Sequence, residues 1–220
     1  MIVAVAGGKG GVGKSTTAYN LGAALNAVVV DADLGMADLP TGPGPDLHDV
    51  LAGRADPREA VRGGPVDLLP CGRSLAGARA ADVRALGEAV RAVERERGRV
   101  VVDCPAGLRA DAGVPLAVSD VCVLVVSPRA FALADAIRTR ELARELDAGL
   151  VAVVLNRVAD APATEPIERC LGAPVEVVPA DPRVGRTVER GRPVTTTAPD
   201  SRAADAYRAV ADAVRACERV

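Results

Sequence analysis

Residues 1–16 read MIVAVAGGKGGVGKST, and their order decides the fold. A short apolar run ends in glycines, which suits a buried strand of a parallel sheet. Gly8, Lys9, Gly10, Gly11, Val12, Gly13, Lys14 and Ser15 then fit GxxxxGK[ST], the loop that wraps phosphate. Glycines let such a backbone curl with its N–H groups inward, and a helix opening near Lys14 turns its positive end on the same anion. That helix is predicted over 14–26, where Ala18, Leu21, Ala24 and Leu25 recur at helical spacing. In this frame Lys14 reaches the β- and γ-phosphates of a nucleotide. The Ser15 hydroxyl ligates Mg²⁺, with Thr16 beside it.

Beyond residue 26 the chain alternates. Apolar runs at 27–33, 66–72, 99–107, 120–128, 150–157 and 174–181 read as strands. Helical patterns fill most of the gaps, most clearly 79–97, 130–147 and 202–219. This alternation predicts a mainly parallel, doubly wound α/β sheet with helices on both faces, as one domain over 1–220. The Pro/Gly-rich patch at 40–45 reads as a loop within it. Ligands of such sheets collect at the carboxyl ends of the strands. The glycine loop, Asp31 and Asp33, Asp103 and Asn156 all follow strand runs, so they predict one site.

Composition narrows the classes. Aromatics are nearly absent (Tyr19, Phe131, Tyr207 and no Trp), so Val, Leu and Ala must build the core. A net charge of −2 offers no global attraction to nucleic acid or an anionic membrane. Cys71, Cys104, Cys122, Cys170 and Cys217 are scattered without a CxxC pair and read as buried small hydrophobes in a reducing cytoplasm. No apolar run approaches the ~20 residues of a membrane span. The opening run is expected to be a strand and not a leader, and the protein to be cytoplasmic.

Only two of the 27 Lys and Arg residues are lysine, and both lie in the loop, at 9 and 14. Arginine is the cation used everywhere else, so Lys9 points to a need for a compact ammonium rather than a planar fork. KGGVGKST resembles the deviant Walker A box of the MinD/ParA family of ATPases, in which a signature lysine precedes the usual one. The resemblance extends along the chain. VVVDADLGMADL (28–39) is similar to that family's second strand and switch I, and VVVDCPAGL (100–108) to its Walker B strand and switch II. VVLNRV (153–158) resembles the base-binding strand end, and VPADPRVGRTVERGRPV (178–194) the late proline–acid segment and following helix. MinD-like members are more similar than ParA-like ones.

The resemblance implies a homodimer formed in the ATP state, in which Lys9 of one subunit reaches the phosphates bound by the other. It casts Lys9, Lys14 and Asp33 as the catalytic set. Asp33 would orient the attacking water near Mg²⁺, with Asp31 nearer the metal shell; a turn- or cap-forming role is the alternative for Asp33. If the strand stays extended, the two acids point the same way. Asp103 would act on Mg²⁺ through water. Cys104 stands within the switch II start, and Asp38 where MinD-like proteins often have Asn. Asn156 offers a donor and an acceptor to adenine, with Arg157 beside it and Pro179 and Asp181 across the base. His48, in a predicted short helix, is expected to have no catalytic role.

Three function classes follow. The first is an ATP-driven switch for spatial organisation of the cell, hydrolysing slowly under stimulation by a partner or cargo protein. A ParA-like variant would bind nucleic acid through Arg183, Arg186, Arg190 and Arg192, although helical arginines are usually a solvated face. The second class, an iron–sulfur carrier, would need paired cysteines at the dimer interface. The third, an amidoligase, would need a substrate domain. The last predicted helix carries Ala204, Tyr207, Val210, Ala211, Val214 and Cys217 on one stripe with mixed charges opposite. That stripe suits packing on the sheet rather than insertion into lipid.

Overall fold

Valine-rich runs build the sheet, as β-branched side chains suit a pleated surface covered on both sides. The computed structural model describes residues 1–35, 38–107, 110–128, 130–160 and 162–218. Its strands are β1 (Ile2–Ala6), β2 (Val28–Asp31), β3 (Leu68–Leu69), β4 (Val100–Asp103), β5 (Val121–Val126), β6 (Gly149–Val158) and β7 (Val175–Pro179). They form one sheet in the order β3-β2-β4-β1-β5-β6-β7, and every pairing is parallel. The chain winds from β1 outward to β2, then returns through β4 and crosses to β5 on the other side of β1. That reversal opens a crevice at the carboxyl end of β1.

The helices are α1 (Lys14–Leu25), α2 (Leu47–Leu51), α3 (Leu75–Ala80), α4 (Leu86–Arg97), α5 (Ala110–Val118), α6 (Ala130–Glu145), α7 (Glu165–Leu171), α8 (Pro182–Glu189), α9 (Val194–Thr197) and α10 (Arg202–Cys217). Alternate strand residues serve opposite layers. Val3, Val5, Val29, Val101, Val123 and Val154 pack with Leu21 and Leu25 of α1 and Tyr207 and Val210 of α10. Ile2, Val28, Val30, Val100 and Val102 instead meet Val90 and Val93 of α4. The same parity puts Asp31 and Asp103 on the α1 face, and they are direct register partners at the ends of β2 and β4.

Several boundaries differ from the sequence reading. The expected strand at 66–72 pairs only over Leu68–Leu69, at the sheet edge. The helix expected at 79–97 is broken: Ala81 is extended (ψ 124°), and the Asp82 side chain accepts from Arg84 N–H, opening a 3-10 turn at Val83–Ala85. Three cysteines are buried as expected, but Cys170 and Cys217 are exposed. The α10 stripe is buried from Ala204 to Val214, and Cys217 falls outside it. Met36, Ala37 and Leu108, in the expected switch stretches, and residue 219 of the expected last helix lie outside the described residues.

Candidate nucleotide site

The loop between β1 and α1 closes over its own lysine. Lys14 is only 7% exposed, and its Nζ lies 3.5 Å from the Lys9 carbonyl, at the long limit of a hydrogen bond. Gly13, the residue before α1, has φ 100°, a conformation that costs a side-chain-bearing residue. It contributes no side-chain cap, and the first turn of α1 holds no acid, so the first N–H groups of the helix stay directed at whatever anion the loop takes. Ser15 and Thr16 occupy that turn, and Thr16 is half-buried. Val12 is buried, its carbonyl accepting from Asn156 Nδ2 at 2.7 Å. The Gly11 carbonyl accepts from Arg157 Nη1 at 2.9 Å. Asn156 and Arg157 thus brace the phosphate loop from β6, which sequence reading did not foresee.

Lys9 reaches helix α6. Its Nζ pairs with Asp135 Oδ2 of α6 at 3.2 Å, and its side chain remains 53% exposed. Gly8 lies against the same aspartate. Asp135 stands 126 residues from Lys9, and no sequence signal marked it.

The acids gather across the crevice. Asp103 is 1% exposed, with the Ser15 hydroxyl and the Lys14 ammonium beside its carboxylate. Asp31 is fully buried; its Oδ1 accepts from Asp33 N–H at 3.3 Å, while Oδ2 has no such partner among the described residues. The strand ends at Asp31, and Leu34 N–H turns back to the Ala32 carbonyl at 3.0 Å. The strand therefore does not stay extended through Asp33, the condition for the two acids to point the same way. The turn leaves Asp31 buried and Asp33 half-exposed, its charge still acting on Asp31 and Asp103. Oxygen donors from Ser15, Asp31, Asp33 and Asp103 are the chemistry Mg²⁺ prefers. Among the described residues no three His, Cys, Asp or Glu side chains form a metal cage. Two buried carboxylates with the Ser15 hydroxyl beside one of them are such oxygen donors, so the residues fit Mg²⁺.

Electrostatics carries a cost in the ligand-free protein. Burial, followed by the charge of Asp103, pushes the Asp31 carboxyl up to about 8. Burial also raises Asp103, to about 7, with Asp33 and Asp38 adding and Ser15 and Lys14 opposing. An acid raised in the folded state binds more protons there than when unfolded. Its contribution is full below the unfolded value near ~4 and is lost as pH rises through the folded value. Metal-free protein should therefore lose stability between about pH 5 and pH 8. Asp31→Asn should flatten that loss and unfold later in urea at pH 8, and equal urea midpoints for both proteins at pH 8 would contradict it.

A cavity of about 260 Å³ opens beside the loop, lined by Thr16, Asn156, Arg157, Pro179, Asp181 and Val184 among others. It unites all four residues expected around a base. Asp181 also caps α8, accepting from Arg183 N–H at 2.8 Å, and pairs with the Arg183 guanidinium. Asn156 also donates from Nδ2 to the Val12 carbonyl and accepts at Oδ1 from the Arg157 amide, which leaves one N–H and one lone pair of the amide for a ligand. The cluster-carrier class finds no support in Cys104, which is 1% exposed, with burial raising its thiol pKa. No helix among the described residues is long and apolar enough to cross a membrane.

Residues 3–194 match the family described as the CobQ/CobB/MinD/ParA nucleotide binding domain. The chain belongs to this family. An uncharacterised ATP-binding protein of Methanocaldococcus jannaschii is 34% identical, over 95% of this chain and 85% of its own length. The cell division ATPase MinD of Pyrococcus furiosus superposes with a TM-score of 0.90 at 30% identity, covering 98% of both chains. The septum site-determining protein MinD of Pyrococcus horikoshii, solved with Mg-ADP, gives 0.89 at 29%, covering 97% of this chain and 95% of its own. For a member of the MinD/ParA family, a phosphate loop at the β1 end of an all-parallel sheet is the expected centre.

Proposed function

We infer that the chain is an ATP-hydrolysing molecular switch: Mg·ATP closes a homodimer that engages a partner or cargo protein, and slow, partner-stimulated hydrolysis releases it. The observation that carries this reading is the pair of buried carboxylates, Asp31 and Asp103, register partners at the ends of β2 and β4, with Ser15 and Lys14 beside Asp103 at a helix start that has no side-chain cap. Buried charges of this kind are costly unless a cation completes them. Mg²⁺, when bound, supplies the charge that neutralises the phosphate oxygens.

Lys14 then binds the β- and γ-phosphates, and Ser15 turns its hydroxyl to the metal, which Asp103 holds through water. Asp33, half-exposed at the mouth of the crevice, orients the attacking water. Lys9 leaves Asp135 for the phosphates of the partner subunit, where a second cation offsets charge developing in the transition state. The base lies in the cavity between Asn156–Arg157 and Pro179–Asp181. Relatives described as division proteins support a role in spatial organisation of the cell, in division-site or polar positioning. A cavity of about 490 Å³ lined by Arg183, Arg186, Arg190 and Arg192 is what a DNA-partitioning role would draw on. The test is molar mass by light scattering. It should double with Mg·ATP and stay monomeric with Mg·ADP, and equal masses in the two states would refute the switch.

A further inference from the structure

We propose that His48 is a positioning residue for hydrolysis: its Nε2–H holds the Leu34 carbonyl and so fixes the turn that carries Asp33. The proposal rests on the reading of Asp33 given above. His48 is 2% exposed, and its Nε2 lies 3.2 Å from the Leu34 oxygen. A carbonyl oxygen only accepts, so the hydrogen sits on Nε2 and the imidazole tautomer is set. Nδ1 is then a buried lone pair with no hydrogen-bond partner among the described residues. A ring kept only for packing would leave nothing in return for desolvating that nitrogen. Holding Leu34 gives it a purpose.

The surroundings leave the ring little freedom. Asp46 and Asp49 form a reciprocal capping box at the start of α2, and Leu47 N–H donates to the Pro70 carbonyl at 2.9 Å. Cys71 Sγ lies 3.4 Å from Nε2. At Gly72 an added Cβ would come within 2.4 Å of Nδ1, so only glycine lets the chain close over the imidazole there. Leu34 is consequently held on both sides of its Cα, its N–H by the Ala32 carbonyl at 3.0 Å and its carbonyl by His48. Asp33 lies between Ala32 and Leu34, and its own N–H is tied to Asp31. Releasing the His48 end removes a hydrogen bond between this turn and α2 and leaves the packing of the Leu34 side chain on the core. The Asp33 carboxylate would then sample more orientations, which slows a step that depends on aiming a water but does not touch the phosphate loop.

The test uses three variants of the full chain, read by single-turnover hydrolysis of Mg·ATP, affinity for Mg·ATP and melting temperature. Glutamine places an amide N–H where Nε2 was; asparagine places it where Nδ1 was, and methionine fills the space with no donor. H48N and H48M should hydrolyse about tenfold more slowly with unchanged affinity, while H48Q stays near the wild-type rate. Two variants without a donor at the Nε2 position keep the comparison alive if one fails to fold. Wild-type rates in H48N or H48M would overturn the proposal, as would H48Q slowed as much as they are, which would leave packing as the ring's role. Asp33→Ala is run alongside. If it hydrolyses normally, the reading of Asp33 is what fails; if it is slow while H48N is not, only the tether fails.

Discussion

Lys14→Ala is expected to abolish Mg·ATP binding, with an affinity loss of at least about a hundredfold, or roughly 3 kcal/mol. The ammonium is the one cation buried inside the glycine loop, held near the Lys9 carbonyl, and the other loop lysine is directed to Asp135. The remaining backbone N–H groups of the α1 start would still face the phosphates, though partial charges alone hold them weakly. Calorimetry checks this, and unchanged ATP affinity would remove the phosphate-loop assignment.

Asp33→Ala should separate binding from chemistry. The residue stands at the mouth of the crevice, on the turn after β2, outside the loop that grips phosphate. Mg·ATP affinity is therefore expected to stay within about twofold of wild type, while hydrolysis falls by about two orders of magnitude, the usual scale for a group that aims or deprotonates the attacking water. With ATP bound and turnover slowed, dimer should accumulate in light scattering. A monomeric variant with wild-type turnover would contradict the assignment.

The parts of the site written locally were legible in the sequence. Gly8 to Ser15 carry their geometry in their own residue types, and Asp31 and Asp103 each close a valine run, which put them at strand ends in one site. What depended on distant packing was not. Lys9 and Asp135 meet only because α6 crosses the loop, and His48 reaches Leu34 only because β3 and α2 close over it. Asn156 shows the same limit from the other side. A strand-end amide could serve a base or a loop, and only the fold shows that its Nδ2 donates to the Val12 carbonyl while its side chain also lines the cavity. The broken helix at 79–97 failed for a local reason: Asp82 binds its own downstream backbone, a competition that periodicity does not register.

The central claim is that Lys14 serves its own subunit's nucleotide and Lys9 the partner's. With two lysines in the chain, amine labelling followed by peptide mass spectrometry reads both directly. In ligand-free protein Lys9, 53% exposed, should label readily, and the buried Lys14 more slowly. Mg·ATP should protect Lys14 at every protein concentration. Protection of Lys9 should grow as the protein is concentrated and vanish on dilution, tracking the dimer. If Mg·ATP instead shields Lys9 equally at all dilutions, Lys9 binds its own subunit's phosphate, and the shared-nucleotide dimer is wrong.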